Sequence, residues 1–190
     1  PALGLARTWM SRHLAEGARE TDAAFVHVST DYVFDGRARK PYLETDACAP
    51  EGAYARSKLL GETAARDVFA GFSFGRAWII RTSWLFGPNG NNFVRTMVRL
   101  MRGKEEIRVV NDQRGRPTYS RDMAEAMLHL CGLVGQAAAP GIYHFANAGD
   151  VTWYGFAQAI HQSLARLGQP LACKTVVPIT TAEYPLPAPR

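Results

Sequence analysis

Short, mainly apolar runs that alternate with amphipathic segments constrain the fold of this chain more than any other feature. Four runs of four or five residues are separated by segments whose apolar residues recur at helical spacing. The runs are 24–28, 78–82, 107–110 and 142–145. Such a run is typical of a strand buried on both faces of a parallel sheet, and strands alternating with helices are typical of α/β proteins. The sequence therefore predicts an α/β fold with a mainly parallel sheet.

The first fifteen residues after Pro1 have the pattern of an amphipathic helix. Leu3, Ala6, Met10 and Leu14 recur at helical spacing, and Gly17 follows as a helix stop. We therefore expect a helix over 2–16 that buries these four side chains.

Composition excludes several classes of protein. The 190 residues are 47% apolar, which suits a single domain, and they contain neither an 18-residue apolar span nor an N-terminal signal pattern. The net charge of +5 is dispersed, so a nucleic-acid partner is not expected. Cys48, Cys131 and Cys173 lie far apart without metal-ligand spacing. We expect a cytoplasmic protein without a metal site and without a membrane or nucleic-acid partner.

Tyr54 and Lys58 are four residues apart near the start of a predicted helix over 53–69. That spacing places both side chains on one helical face, with Cβ atoms roughly 5–6 Å apart. An ammonium beside a phenol stabilises the ionised phenol and so assists proton donation. The same spacing also occurs in ordinary exposed helices, so the pair alone leaves catalysis and a plain surface helix open.

Polar or aromatic residues follow two of the predicted strands. Ser29, Thr30 and Asp31 come after the first, and Trp84 comes after the second. Ligands of open α/β sheets bind outside the carboxyl ends of the strands, so these side chains are placed for substrate contact. Capping of the strand end by the hydroxyls, and packing of the indole in the core, remain alternatives.

Five motifs, taken together and in order, resemble the dTDP-4-dehydrorhamnose reductases, which are extended short-chain dehydrogenases/reductases. The resemblance covers almost the whole chain. The motifs are 29–36, 54–58, 81–84, 90–93 and 111–118.

The resemblance implies a Rossmann-like, doubly wound, mainly parallel sheet with a small substrate-binding part. Residues 1–83 and 104–134 would form mainly the C-terminal half of the Rossmann sheet. Residues 84–103 and 135–190 would form mainly the substrate-binding part.

The resemblance also implies a reaction. Hydride from NADPH or NADH would reduce the 4-keto group of dTDP-4-dehydro-6-deoxy-L-mannose and give dTDP-L-rhamnose. By position, Tyr54 would protonate the carbonyl oxygen, Lys58 would hold the nicotinamide ribose, and Thr30 would hydrogen-bond the same oxygen. The implied cofactor contacts are Tyr54, Lys58 and Ser29, and the implied substrate contacts are Thr30, Asp31, Trp84 and Asn92.

These reductases begin with a Gly-rich strand-turn-helix that holds the cofactor pyrophosphate, and this sequence has no counterpart to it. We expect two or three strand-helix units, roughly 60–90 residues, to precede Pro1 in a whole protein, and a final helix to follow Arg190. We further expect the chain by itself to bind dinucleotide poorly, which leaves its own activity open.

Two alternatives remain beside the reductase. One is another nucleotide-sugar enzyme of the superfamily, such as a 4-epimerase; a 4,6-dehydratase would need a glutamate where Tyr32 follows Asp31. The other is a non-catalytic regulatory subunit similar to that of methionine adenosyltransferase. A homodimer is compatible with the resemblance.

Overall fold

The computed structural model describes residues 2–70, 76–134 and 137–184, with the side chains of the first helix described from Thr8 onward. These residues form five α-helices and nine β-strands. The helices are α1 (Ala2–Glu20), α2 (Gly52–Phe69), α3 (Phe93–Gly103), α4 (Ser120–Leu133) and α5 (Trp153–Arg166). The strands are β1 (Phe25–Thr30), β2 (Ala77–Thr82), β3 (Leu85–Phe86), β4 (Glu106–Val110), β5 (Arg114–Gly115), β6 (Thr118–Tyr119), β7 (Gly141–His144), β8 (Val151–Thr152) and β9 (Thr175–Ile179).

The described residues divide into two compact units. Among the described residues, the first contains those up to Ser83 together with Ala124–Phe145, and the second contains Trp84–Met123 and 146–184. The units differ from the predicted division at two places: 104–123 belongs to the second unit, and 135–145 belongs to the first. The reason is strand pairing, because β4 pairs with β9 and β7 pairs with β2. Which unit binds substrate stays a prediction.

A three-stranded parallel sheet in the order β1-β2-β7 forms the centre of the first unit. The register pairs Thr30 with Thr82 and Ile80 with Tyr143. All six residues of β2 are buried, as expected for a central strand covered on both faces. Four of the five strand pairings in the described chain are parallel, which confirms the predicted α/β fold.

The buried face of α1 was predicted wrongly. Met10 and Leu14 are 63% and 61% exposed, and Ser11 and Ala15 are buried instead. Small side chains let α1 approach α2 closely, where Ala15 packs with a group that includes Ala65. The helix also continues through Gly17 to Glu20. Leu3 and Ala6 lie outside the described side chains.

The second unit has a core between α3, α5 and the parallel pair β4–β9. Its buried members are Met97, Met101, Ile107, Val109, Ala157, Ile160, Leu164 and Cys173. The sequence placed β4 among the strands of one main sheet, but its partner is β9, which the apolar pattern did not reveal. Pro178 lies within β9 opposite Val109, and a proline inside a run is compatible only with an edge strand.

None of the helices in the described residues combines the length and the hydropathy that a membrane span requires.

Replacement of Ile79, which is fully buried in β2, tests the core of the first unit. Ile79→Ala should lower the free energy of unfolding by roughly 2–5 kcal/mol, because truncation leaves a cavity in a strand packed on both faces. The matched control is Leu128→Ala on α4, where the side chain is 72% exposed and a change within about 0.5 kcal/mol is expected. Urea denaturation measures both, and equal losses would contradict the assignment of the core.

Candidate active site

The carboxyl end of β1 is shaped by Thr30, which is both the last residue of the strand and the cap of a 3-10 turn over Asp31–Val33. Its Oγ1 accepts a hydrogen bond from the backbone N of Tyr32 at 3.3 Å and donates to Asp31 Oδ1 at 3.1 Å. Because only 8% of the residue is exposed, its hydroxyl is held in a defined place at the strand end.

Helix α2 brings Tyr54 and Lys58 to the same strand end. It starts at Gly52, whose φ of +79° is in the region that favours glycine. Lys58 Nζ donates to the backbone O of Val28 at 2.6 Å. The ring of Tyr54, a residue that is 48% exposed, meets the ring of Tyr32 edge to face with centroids 6.2 Å apart. The structure therefore gathers both helix residues at the end of β1.

A buried ion pair lies between α2 and the sheet. Arg81 donates from Nη2 to Glu62 Oε2 at 2.7 Å and from Nε to both carboxylate oxygens at 3.1 and 3.2 Å. The two side chains are 3% and 2% exposed. Ser29, predicted as a cofactor contact, donates its hydroxyl to Glu62 Oε1.

Sequence reasoning assigned no role to Glu62 or Arg81, although a signal was present. Arg81 lies within the apolar run 78–82, which the sequence predicts as a strand buried on both faces. A guanidinium in such a strand requires a carboxylate partner, because an unpaired buried charge is strongly unfavourable.

Burial shifts the titration of two groups near the strand end. It raises the pKa of Asp31 from 3.8 to about 6, against the opposing effect of the hydrogen bond from Thr30. It also lowers the pKa of His27 to about 4, and the charge of Lys58 acts in the same direction. His27 is therefore neutral at physiological pH.

Trp84, a predicted substrate contact in the second unit, is tightly held. Its φ is +45°, unusual for a residue with a side chain, and its carbonyl accepts from the backbone N of Thr118 at 3.2 Å. Its indole stacks on Trp153 with centroids 3.4 Å apart and planes within 8°. A Cβ at Gly115 would lie 2.4 Å from the indole. One ring face is thus covered by Trp153, and a contact between Trp84 and substrate stays a prediction.

Asn92, also a predicted substrate contact, caps α3. Its Oδ1 accepts from the backbone N of Arg95 at 3.1 Å, and its Nδ2 donates to the O of Gly87 at 2.8 Å. The amide therefore has local partners, as expected for a cap residue.

An open cavity of about 520 Å³ lies within the second unit, and no predicted site residue lines it. Asn147 holds its wall together: Oδ1 accepts from the backbone N of Tyr119, and Nδ2 donates to Asp122 Oδ2, both at 2.6 Å. The lining residues are Phe86, Pro117, Tyr119, Asp122, Asn147, Ala148 and Val151. Across 2–70, 76–134 and 137–184, no cluster of three or more His, Cys, Asp or Glu residues could hold a metal ion.

The chain is similar to known proteins over most of its length. A family model described as RmlD substrate binding domain matches residues 6–190. A dTDP-4-dehydrorhamnose reductase of Burkholderia thailandensis is 43% identical over 185 residues, which are 93% of this chain and 60% of that protein. One of Mycobacterium tuberculosis is 42% identical over 186 residues, covering 94% of this chain and 56% of that protein.

A solved structure is similar as well. The crystal structure of dTDP-4-dehydrorhamnose reductase from Bacillus anthracis in complex with NADP has a TM-score of 0.82 and 36% identity, covering 95% of this chain and 59% of that one. The Rossmann-like character of the fold is thereby confirmed. The chain spans about 60% of the length of the relatives that it matches.

The close approach of Gly115 to Trp84 leads to a prediction. Gly115→Ala should lower the free energy of unfolding by about 1–3 kcal/mol and reduce the near-UV circular dichroism of the stacked indoles, because the new Cβ overlaps the ring. Gly132→Ala is the control: it lies in α4 with nothing within 4 Å of the added Cβ, so a small gain in stability is expected. Equal changes in the free energy of unfolding of the two variants would contradict the close contact between Gly115 and the indole of Trp84.

The raised pKa of Asp31 leads to a second prediction. The folded state binds more protons than the unfolded state between the ordinary value of 3.8 and about 6, so stability falls as pH rises through that window. Asp31→Asn should therefore be more stable than wild type at pH 7, by about 1–3 kcal/mol, and close to wild type at pH 4. Urea denaturation at the two pH values measures this. If the variant and wild type differ in stability by the same amount at pH 4 and pH 7, the ionisation of the buried carboxyl is not the cause of the difference.

Proposed function

Since this chain belongs to the family of RmlD substrate binding domains, we propose that its protein is a dTDP-4-dehydrorhamnose reductase. The reaction is reduction of the 4-keto group of dTDP-4-dehydro-6-deoxy-L-mannose to dTDP-L-rhamnose. One observation carries the proposal: α2 brings Tyr54 and Lys58 to the end of β1 that Thr30 occupies. Identity of 42–43% to proteins named as reductases supports it.

NADPH is the proposed hydride donor, because a 36% identical relative was crystallised with NADP. Lys58, Tyr54 and Ser29 are the residues of this chain that would hold it. The position of Lys58 supports this role, because its Nζ lies beside β1, where it donates to the backbone O of Val28 at 2.6 Å. An ammonium group is a suitable donor to ribose hydroxyls.

Tyr54 acts as the proton donor in this proposal. As hydride reaches C4 of the sugar, negative charge develops on the carbonyl oxygen, and the phenol of Tyr54 transfers its proton there. The hydroxyl of Thr30 turns from Asp31 toward the same oxygen and donates to it. Preorganised donors at a developing charge are an effective source of rate acceleration.

The other predictions made from the sequence are part of this proposal as well. In this proposal Asp31, Trp84 and Asn92 contact the nucleotide sugar. The protein works in the cytoplasm, and a homodimer stays compatible with it.

Stoichiometry separates the reductase from its alternatives. A reductase oxidises one NADPH for each sugar that it converts. A 4-epimerase returns the hydride to the sugar and consumes no NADPH overall, and a regulatory subunit converts neither compound.

Tyr54→Phe removes the proposed proton donor and leaves the ring in place. We expect kcat for keto-sugar-dependent NADPH oxidation to fall by roughly 100- to 10,000-fold. The control is Tyr184→Phe, which removes the hydroxyl of another exposed tyrosine and should leave the rate unchanged. Equal rates for wild type and Tyr54→Phe would remove Tyr54 from the mechanism.

A further inference from the structure

We propose that Glu62 is a positioning residue for the proposed reduction. Through contacts with Ser29 and Arg81 it fixes α2 against β1 and β2, and so sets the distance of Tyr54 from Thr30. The inference rests on the proposed function, and it adds a residue that does not touch the reacting atoms.

Helical spacing connects Glu62 with the proposed catalytic pair. Tyr54, Lys58 and Glu62 follow one another at intervals of four, so all three lie along one side of α2. Lys58 bonds to the carbonyl of Val28, and Glu62 accepts from Ser29. Two consecutive turns of α2 are thus tied to two consecutive residues of β1.

The register of the sheet extends this connection to β2. Ser29 lies opposite Arg81, and Thr30 lies opposite Thr82. Glu62 therefore binds two residues that are partners across the sheet, directly before the level of Thr30. A helix and two strands meet at this one carboxylate.

The guanidinium is also held from other directions, so it is a fixed anchor for Glu62. Arg81 Nη2 donates to Cys48 Sγ at 3.3 Å. The Cζ atom of Arg81 lies over the ring of Phe34 at 5.1 Å from its centroid, within the range of a cation–π contact.

Stability alone explains this arrangement poorly. Burying a carboxylate and a guanidinium costs desolvation energy that their attraction only partly returns, and apolar pairs of similar volume are often as stable or more stable. An apolar pair lacks the directional N–H···O bonds that define one position of the helix. The effect of the ion pair on the position of α2 can therefore be separated experimentally from its effect on the stability of the fold.

The test uses the protein expressed from its complete gene. In the double variant Glu62→Leu/Arg81→Met we expect a Tm close to that of wild type. We expect kcat to fall roughly 10- to 100-fold, because displacement of a catalytic group by about 1 Å has effects of that size. KM for the dTDP-sugar should remain unchanged, which separates a positioning role from loss of substrate binding.

Asp67→Asn is the matched control, because it removes another carboxylate of α2 from an ion pair, the exposed one with Arg12. It should leave kcat, KM and Tm unchanged. A double variant with the wild-type Tm and the wild-type kcat would overturn the proposal and leave the ion pair a purely structural role. If the double variant does not fold, Glu62→Gln, checked for folding by circular dichroism, is judged by the same criterion.

A readout that does not require turnover separates this inference from the proposed function. Crystal structures of wild type and variant give the separation of Tyr54 Oη and Thr30 Oγ1, which we expect to differ. An unchanged separation would overturn the role of Glu62. Failure of the wild type to reduce the keto sugar would refute the proposed function instead.

Discussion

The buried contact of Glu62 with Arg81 is the interaction on which the arrangement of the first unit depends. It is possible only because α2 lies close to the sheet, and α2 lies close because its buried side is built largely from small residues such as Ala55, Ser57 and Gly61. That approach lets a short serine side chain on β1 reach a carboxylate on the helix. Close helix–sheet packing and the placement of Tyr54 and Lys58 are consequences of the same sequence pattern.

The second unit is constrained by an aromatic stack. The backbone of Trp84 is in a left-handed conformation that costs about 1–2 kcal/mol for a residue with a side chain. Stacking on Trp153 and the space left by Gly115 offset this cost and fix the plane of the indole. A strained backbone conformation of this kind persists only where the surrounding structure holds the residue in place, and it is found frequently at binding sites. This supports the proposed role of Trp84 in holding a nucleotide sugar.

Much of the fold could be predicted because its signals are local. Apolar runs identified β1, β2, β4 and β7 to within one or two residues, and the spacing of Tyr54 and Lys58 identified the side of α2 that faces the end of β1.

Features that depend on distant partners could not be predicted in this way. The buried face of α1 was missed because helix-helix contact there selects small side chains such as Ala15 over the larger Met10. Strand β9 was missed because Pro178 interrupts its pattern. The pairing of Glu62 with Arg81 joins residues 19 positions apart, and neither position alone reveals the other. Hydrophobic periodicity identifies the apolar side of an element, which in α1 is not the buried side, and it carries no information about which polar groups meet between elements.

The proposed reaction is transfer of hydride from NADPH to C4 of a keto sugar, with Tyr54 supplying the proton. The most direct measurement uses NADPH deuterated at the transferred position, with the product sugar analysed by mass spectrometry and NMR. The proposed reaction should give dTDP-L-rhamnose that carries one deuterium, located at C4. A product without deuterium, or recovery of the keto sugar unchanged or epimerised, would contradict it.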